Sequence, residues 1–123
     1  MSVIVRDDGF HAEDYAGDRI VEIASDTRPD ALPDVTGAEL VRVAFPAFSD
    51  GRGFTLARHI RAAGYTGRLR AAGHVIADQY AMARRSGFDE VEIGDDLAAR
   101  QPADQWLYRA DWRAHDYRAR LRA

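Results

Sequence analysis

The sequence predicts a single α/β domain spanning residues 1–123, with a β-α-β-α-β parallel core, short extended segments before it and a C-terminal helix after it. Three observations lead there. The chain has 123 residues, the size of one domain around one core. From Glu39 onward, short apolar runs bounded by Gly and Pro alternate with stretches whose apolar residues recur at helical spacing. The connections between these runs are long enough to hold a helix, which implies parallel neighbours joined by right-handed crossovers. Either a small open sheet or a piece of a barrel satisfies the pattern.

The elements follow in order. Val3-Ile4-Val5, ahead of Asp7-Asp8-Gly9, reads as a short strand and turn, and Arg19 to Ile23 as a second extended piece. Pro29, Pro33 and the acids between Asp26 and Gly37 mark a surface connection, so this first third is expected at an edge or lid, outside the core. Leu40 to Phe45, closed by Pro46, is a buried strand. Phe54, Ala57, Ile60 and Ala63 then trace one helix face, stopped by Gly64. Arg68 to Ala72 lies between Gly67 and Gly73 as a second strand. Val75, Ile76, Gln79, Met82, Ala83 and Ser86 trace a second helix stopped by Gly87, and Val91-Glu92-Ile93 begins a third strand. After Pro102, Trp106, Leu107, Ala110, Ala114, Tyr117 and Leu121 predict a last helix from about Ala103 to Arg120. Its aromatic face would pack on the sheet or on a second copy, making a homodimer through this helix one expectation.

Composition excludes several chemistries. There is no cysteine, and all 17 basic residues are arginine. The chain therefore has no disulfide, no thiolate nucleophile, no self-held iron–sulfur cluster and no cysteine-ligated metal. Without lysine it also lacks a Schiff-base amine and a phosphate-loop lysine. Apart from His74, the histidines are His11, His59 and His115, and they show no HxxxH or HExxH spacing, so no metal site is expected. The N-terminal apolar run is far shorter than a signal-peptide core, and no stretch could span a bilayer. The expectation is a cytoplasmic protein with no membrane partner.

The net charge of −3 conceals three blocks. Residues 1–51 hold 4 Arg and 11 acids, residues 52–85 hold 7 Arg and one acid, Asp78, and residues 86–123 hold 6 Arg and 8 acids. Two readings of the basic middle stand side by side. It is either a surface for an anion or acidic partner, or a set of arginines paired with the acidic flanks. The overall acidity and the lack of interleaved aromatics argue against nucleic acid.

In such a unit the loops at the carboxyl ends of the strands converge, and ligands bind there. Asp50-Gly51-Arg52-Gly53 sits at a helix start, where free N–H groups beside an arginine suit an anion. The structural alternative is an Asp50–Arg52 ion pair stapling the turn, or Asp50 as a cap. A dinucleotide fingerprint fits poorly, because Leu56 stands where its third glycine belongs. His74 and Asp78, four apart at the start of the second helix, could form an acid–base pair, or could simply cap the helix and complement its dipole. Asp50, His74 and Asp78 are the catalytic candidates. Arg52, Gly51, Gly53, Arg58, Arg61, Arg70 and Gln79 are the anion- or partner-binding candidates.

The segment from Phe45 to Val91 resembles the bacterial domain-of-unknown-function family 934. The matching residues are Phe45, Pro46, Phe48, Asp50, Gly51, Arg52, Gly53, Ala57, Arg58, Arg61, Gly64, Gly67, Arg70, Ala71, Gly73, Asp78, Gln79, Arg85, Gly87, Phe88 and Asp89. The chain departs from the pattern at Ser86, where members often have Cys, and at Arg68, where an acid is usual. The resemblance implies a probable oxidoreductase or an accessory protein of assimilatory sulfite reduction, with sulfite reductase or its electron carrier as partner. It brings no demonstrated catalytic residue and no identified cofactor. A small enzyme acting on an anionic substrate at the carboxyl edge is the alternative.

Overall fold

In the computed structural model, which describes residues 2–112, six strands form one mixed sheet. They are β1 (Ser2–Arg6), β2 (Gly9–His11), β3 (Ile20–Ile23), β4 (Leu40–Phe45), β5 (Arg68–Gly73) and β6 (Glu90–Gly94), in the spatial order β2-β1-β6-β5-β4-β3. The four helices are α1 (Arg52–Ala62), α2 (Tyr80–Ser86), α3 (Asp95–Arg100) and α4 (Ala103–Leu107). Strands β4, β5 and β6 are parallel, as expected, β3 adds a fourth parallel strand beside β4, and each lies beside its sequence neighbour. Right-handed crossovers between strands laid down in one direction all fall on the same side. The sheet is therefore clothed with helices on one face.

The core records this one-sidedness. Val41, Val43 and Phe45 of β4, Leu69 and Ala71 of β5, and Val91 and Ile93 of β6 pack with Phe54, Leu56, Ala57 and Ile60 of α1, and with Tyr80 and Ala83 of α2. The alternate residues of each strand point the other way. Phe45 is central: its ring lies 5.0 Å from that of Phe54 and 5.7 Å from that of Phe88. Gly53 is buried there because a Cβ at that position would come within 2.5 Å of the Phe45 ring.

The N-terminal expectation needs correction. β1 is an interior strand, antiparallel to β6 on one side and to β2 on the other, and Ile4 and Val5 are fully buried. β3, by contrast, lies at the sheet edge as anticipated. The second helix also starts later than its periodicity implies. Val75 and Ile76 precede a 3-10 turn over Ala77–Gln79, in which the Ile76 N–H donates to Gln79 Oε1 at 3.0 Å. Met82, expected on the packed face, is exposed. The C-terminal helix begins at Ala103 and buries Trp106, but α4 ends at Leu107. The rest of that predicted helix, beyond Trp112, falls outside the described residues. Among the described residues, no helix is long and apolar enough to cross a membrane.

Candidate functional site at the carboxyl edge and the open sheet face

At the carboxyl edge, the β4–α1 loop delivers Asp50 and Arg52 to the start of α1. Arg52 grips Asp50 in a two-point contact, Nε to Oδ1 at 2.9 Å and Nη2 to Oδ2 at 2.8 Å. The Arg52 backbone N–H also donates to Asp50 Oδ1, at 3.1 Å. The stapled turn, one of the two readings above, is thus the observed arrangement. These bonds from Arg52 hold the Asp50 carboxyl far below the usual range. The Arg52 guanidinium remains 60% exposed and also reaches Ser25 Oγ at 3.3 Å. Beside it opens a cleft of about 290 Å³ lined by residues 25–29 with Arg52, Thr55 and Leu56.

His74 and Gln79 lie at the same edge. The His74 N–H donates to the Phe45 carbonyl at 2.8 Å, and its ring meets that of Phe48 edge-on at 5.3 Å. Gln79 Nε2 donates to the Phe48 carbonyl at 2.9 Å, tying the β4–α1 loop to the turn before α2. Asp78 is turned elsewhere: its carboxylate accepts from Arg109 at 2.8 Å. The predicted spacing of four does not place it on a helix with His74, because helical structure begins only at Ala77. Gly51 precedes α1 at a place where a Cβ would meet the Phe54 ring at an ordinary 3.8 Å, whereas Gly53 is a tight packing position.

The remaining candidates are dispersed. Arg61 spans the opposite, amino edge, donating to the carbonyls of Gly87, Tyr65 and Gly67 at 2.9, 3.0 and 2.8 Å and to Asp89 at 2.8 Å. Arg58 is exposed on α1 and has no ion-pair partner among the described residues. Arg70 occupies the middle of the sheet's second face, with its side chain 2% exposed. It donates to Glu90 at 2.6 Å, to Glu92 at 2.9 Å and to Glu13 at 2.7 Å.

Sequence reasoning did not assemble that second face. Register aligns Glu22 with Arg42, Arg42 with Arg70 and Arg70 with Glu90, and Arg6 of β1 reaches Glu90 at 3.1 Å. Arg68 also bonds Glu90, at 2.7 Å, and Arg42 bonds both Glu92 and Glu22. Burial pushes the Glu90 carboxyl up, but the hydrogen bonds from Arg68 and Arg70 outweigh it and hold the group below its ordinary value. Much of the basic block is therefore paired with the acidic flanks: Arg68 and Arg70 on this face, Arg84 with Asp7, and Arg61 with Asp89. The available signal was alternation. Arg68-Leu69-Arg70 and Glu90-Val91-Glu92 place charges on one face of adjacent parallel strands.

Toward the carboxyl edge the same face is floored by small residues. Ala44, Ala72, Gly73, Gly94 and Ser2 bound a cavity of about 540 Å³, flanked by Arg42, Glu22 and Glu92. Among the described residues, no cluster of three or more His, Asp or Glu is placed to hold a metal ion.

Fold and site together define a class: an α/β protein whose largely parallel sheet is covered by helices on one face and presents a charged ladder and a shallow cavity on the other. Comparison with protein families then gives a membership. The profile of a family described as bacterial protein of unknown function, DUF934, matches residues 20–122, and the chain belongs to that family. No curated protein matches the chain, and no solved structure does.

Proposed function

We propose that this protein is an accessory factor of assimilatory sulfite reduction, docking sulfite reductase or its acidic electron carrier. The observation that carries the docking role is the half-covered sheet. Parallel strands are normally buried on both faces, yet here every α-helix packs on one side, and small residues leave a cavity on the other. A second protein surface fitted to that face would complete the layering. The exposed Arg52, at the same carboxyl edge, offers a point of attachment for an anion or a carboxylate. The sulfite link rests on the family resemblance. Co-purification of the tagged full chain with the haem-containing reductase from its own cells is the expected result. Unchanged sulfite reduction and unchanged growth on sulfate in a deletion strain would remove the proposal.

One observation favours an enzyme as the second reading: the 540 Å³ cavity is in the size range of small-molecule sites. Thermal-shift screening against sulfite, adenylyl sulfate, flavins and nicotinamides separates the two, since a bound ligand raises the melting temperature with occupancy.

A further inference from the structure

We infer that Arg6, Arg68 and Arg70 on the open sheet face form the docking site for a partner's acidic segment, and that the chain's own Glu13-Asp14 fills this site until that segment displaces it. The inference rests on the docking role above and specifies its chemistry. Residues 12–19, between β2 and β3, have no regular structure and cross the face as a strap. Glu13 accepts from Arg70 Nη1 at 2.7 Å, and the Asp14 carboxylate accepts from Arg6 Nη2 at 2.8 Å and from Arg68 Nη2 at 2.9 Å. Tyr15 lies against Arg68 with 6.0 Å between ring centroid and guanidinium.

Apart from the half-buried Tyr15 ring against Arg68, nothing apolar fastens this strap. None of its residues belongs to the core cluster, and Glu13, Asp14, Ala16, Gly17 and Asp18 are exposed. Its attachment is mainly ion pairs at a water-accessible surface, which salt screens and competing carboxylates can replace. Beneath it a space of about 310 Å³, lined in part by Glu13, Tyr15, Gly17 and Arg70, shares Ser2, Arg42 and Glu92 with the larger cavity. Lifting the strap joins the two into one groove.

Charge complementarity names the occupant. Without the strap, this face holds four arginines, Arg6, Arg42, Arg68 and Arg70, against three carboxylates, Glu22, Glu90 and Glu92, an excess of one positive charge, and the strap brings Glu13 to Arg70 and Asp14 to Arg6 and Arg68. A segment with two adjacent acidic side chains reproduces that geometry from outside. The strap precedes the residues matched by the family profile, whereas Arg42, Arg68 and Arg70 lie within them.

The test uses the full chain, an E13Q/D14N variant, and a fluorescein-labelled peptide copying residues 11–17. At low ionic strength the variant should bind the peptide at least tenfold more tightly than the wild type, with binding lost for a peptide carrying Gln and Asn in place of the two acids. Equal affinity of wild type and variant, or equal binding of the neutral peptide, overturns the inference. Should the variant not fold, the wild type titrated with polyglutamate gives the answer by NMR: the Arg6, Arg68 and Arg70 Nε–H resonances must shift, and silence there rejects the site. Peptide binding without reductase co-purification would leave this site standing and dismiss the sulfite reading. Co-purification without peptide binding would do the reverse.

Discussion

Replacing Arg70 by methionine isolates the energetics of the sheet's charged ladder. The Arg70 and Glu90 side chains are 2% and 3% exposed, and their contact at 2.6 Å is the most buried ion pair in the described fold. Removing one partner of such a pair leaves a carboxylate desolvated and costs about 3–5 kcal/mol. Glu90 keeps Arg68 and Arg6, which places Arg70→Met near the lower end, about 3 kcal/mol. For a domain of this size that corresponds to a fall in melting temperature of about 10 °C.

The pH dependence fixes the mechanism. The Glu90 carboxyl is held below its ordinary value in the fold. Its contribution is therefore present above about pH 4.3 and lost as pH falls through the folded-state value. In Arg70→Met the burial penalty is less well offset, the Glu90 carboxyl rises, and acidification relieves the variant. The stability gap between wild type and variant should thus be widest near neutrality and narrow toward pH 4. Urea unfolding followed by far-UV circular dichroism across that range measures it. The double variant R70M/E90L should recover at least half of the loss, because no unpaired buried charge remains. A gap under about 1 kcal/mol, or one that does not change with pH, would refute the reasoning.

Gly53→Ala places a Cβ 2.5 Å from the Phe45 ring and should destabilise by about 1–3 kcal/mol in chemical denaturation despite alanine's better helix propensity. Trp106 is 1% exposed, packs edge-on against Tyr80 at 6.0 Å and donates Nε1 to the Gln101 carbonyl at 2.8 Å. Its replacement by Ala should cost about 3–5 kcal/mol, read in the same assay. Asp50→Asn removes the carboxylate that Arg52 holds below the usual range. The wild-type advantage in melting temperature should therefore be full near neutrality and shrink as pH falls below about 3.9.

The β4-α1-β5-α2-β6 unit was legible because each of its elements carries its own local period and its own glycine stop. β1 was not. Val3-Ile4-Val5 is three residues of apolar signal, and its interior place depends on pairing with β6, where Val5 lies opposite Val91; nothing local encodes a contact across most of the chain. Val75 and Ile76 fit the helical period, yet Gly73 turns the chain with φ +122° and the Gln79 side chain caps Ile76, so the helix begins later. At the site, the Asp50–Arg52 staple was readable because its partners are two residues apart. From sequence alone Arg70 reads as a surface cation, because its acidic partners lie in β6 and in the segment before β3. A strand with alternating charge signals a polar sheet face only once its neighbours and their register are known.

The central claim, that the open sheet face is where a partner docks, is tested most directly by measuring reductase affinity for the wild type and for two variants on opposite sides of the sheet. Ala72→Leu fills the floor of the 540 Å³ cavity, and Met82→Ser alters an exposed position on the helical side. The account predicts at least a tenfold loss of binding in Ala72→Leu with an unchanged melting profile, and wild-type affinity in Met82→Ser. Retained binding in Ala72→Leu together with a loss in Met82→Ser would contradict it.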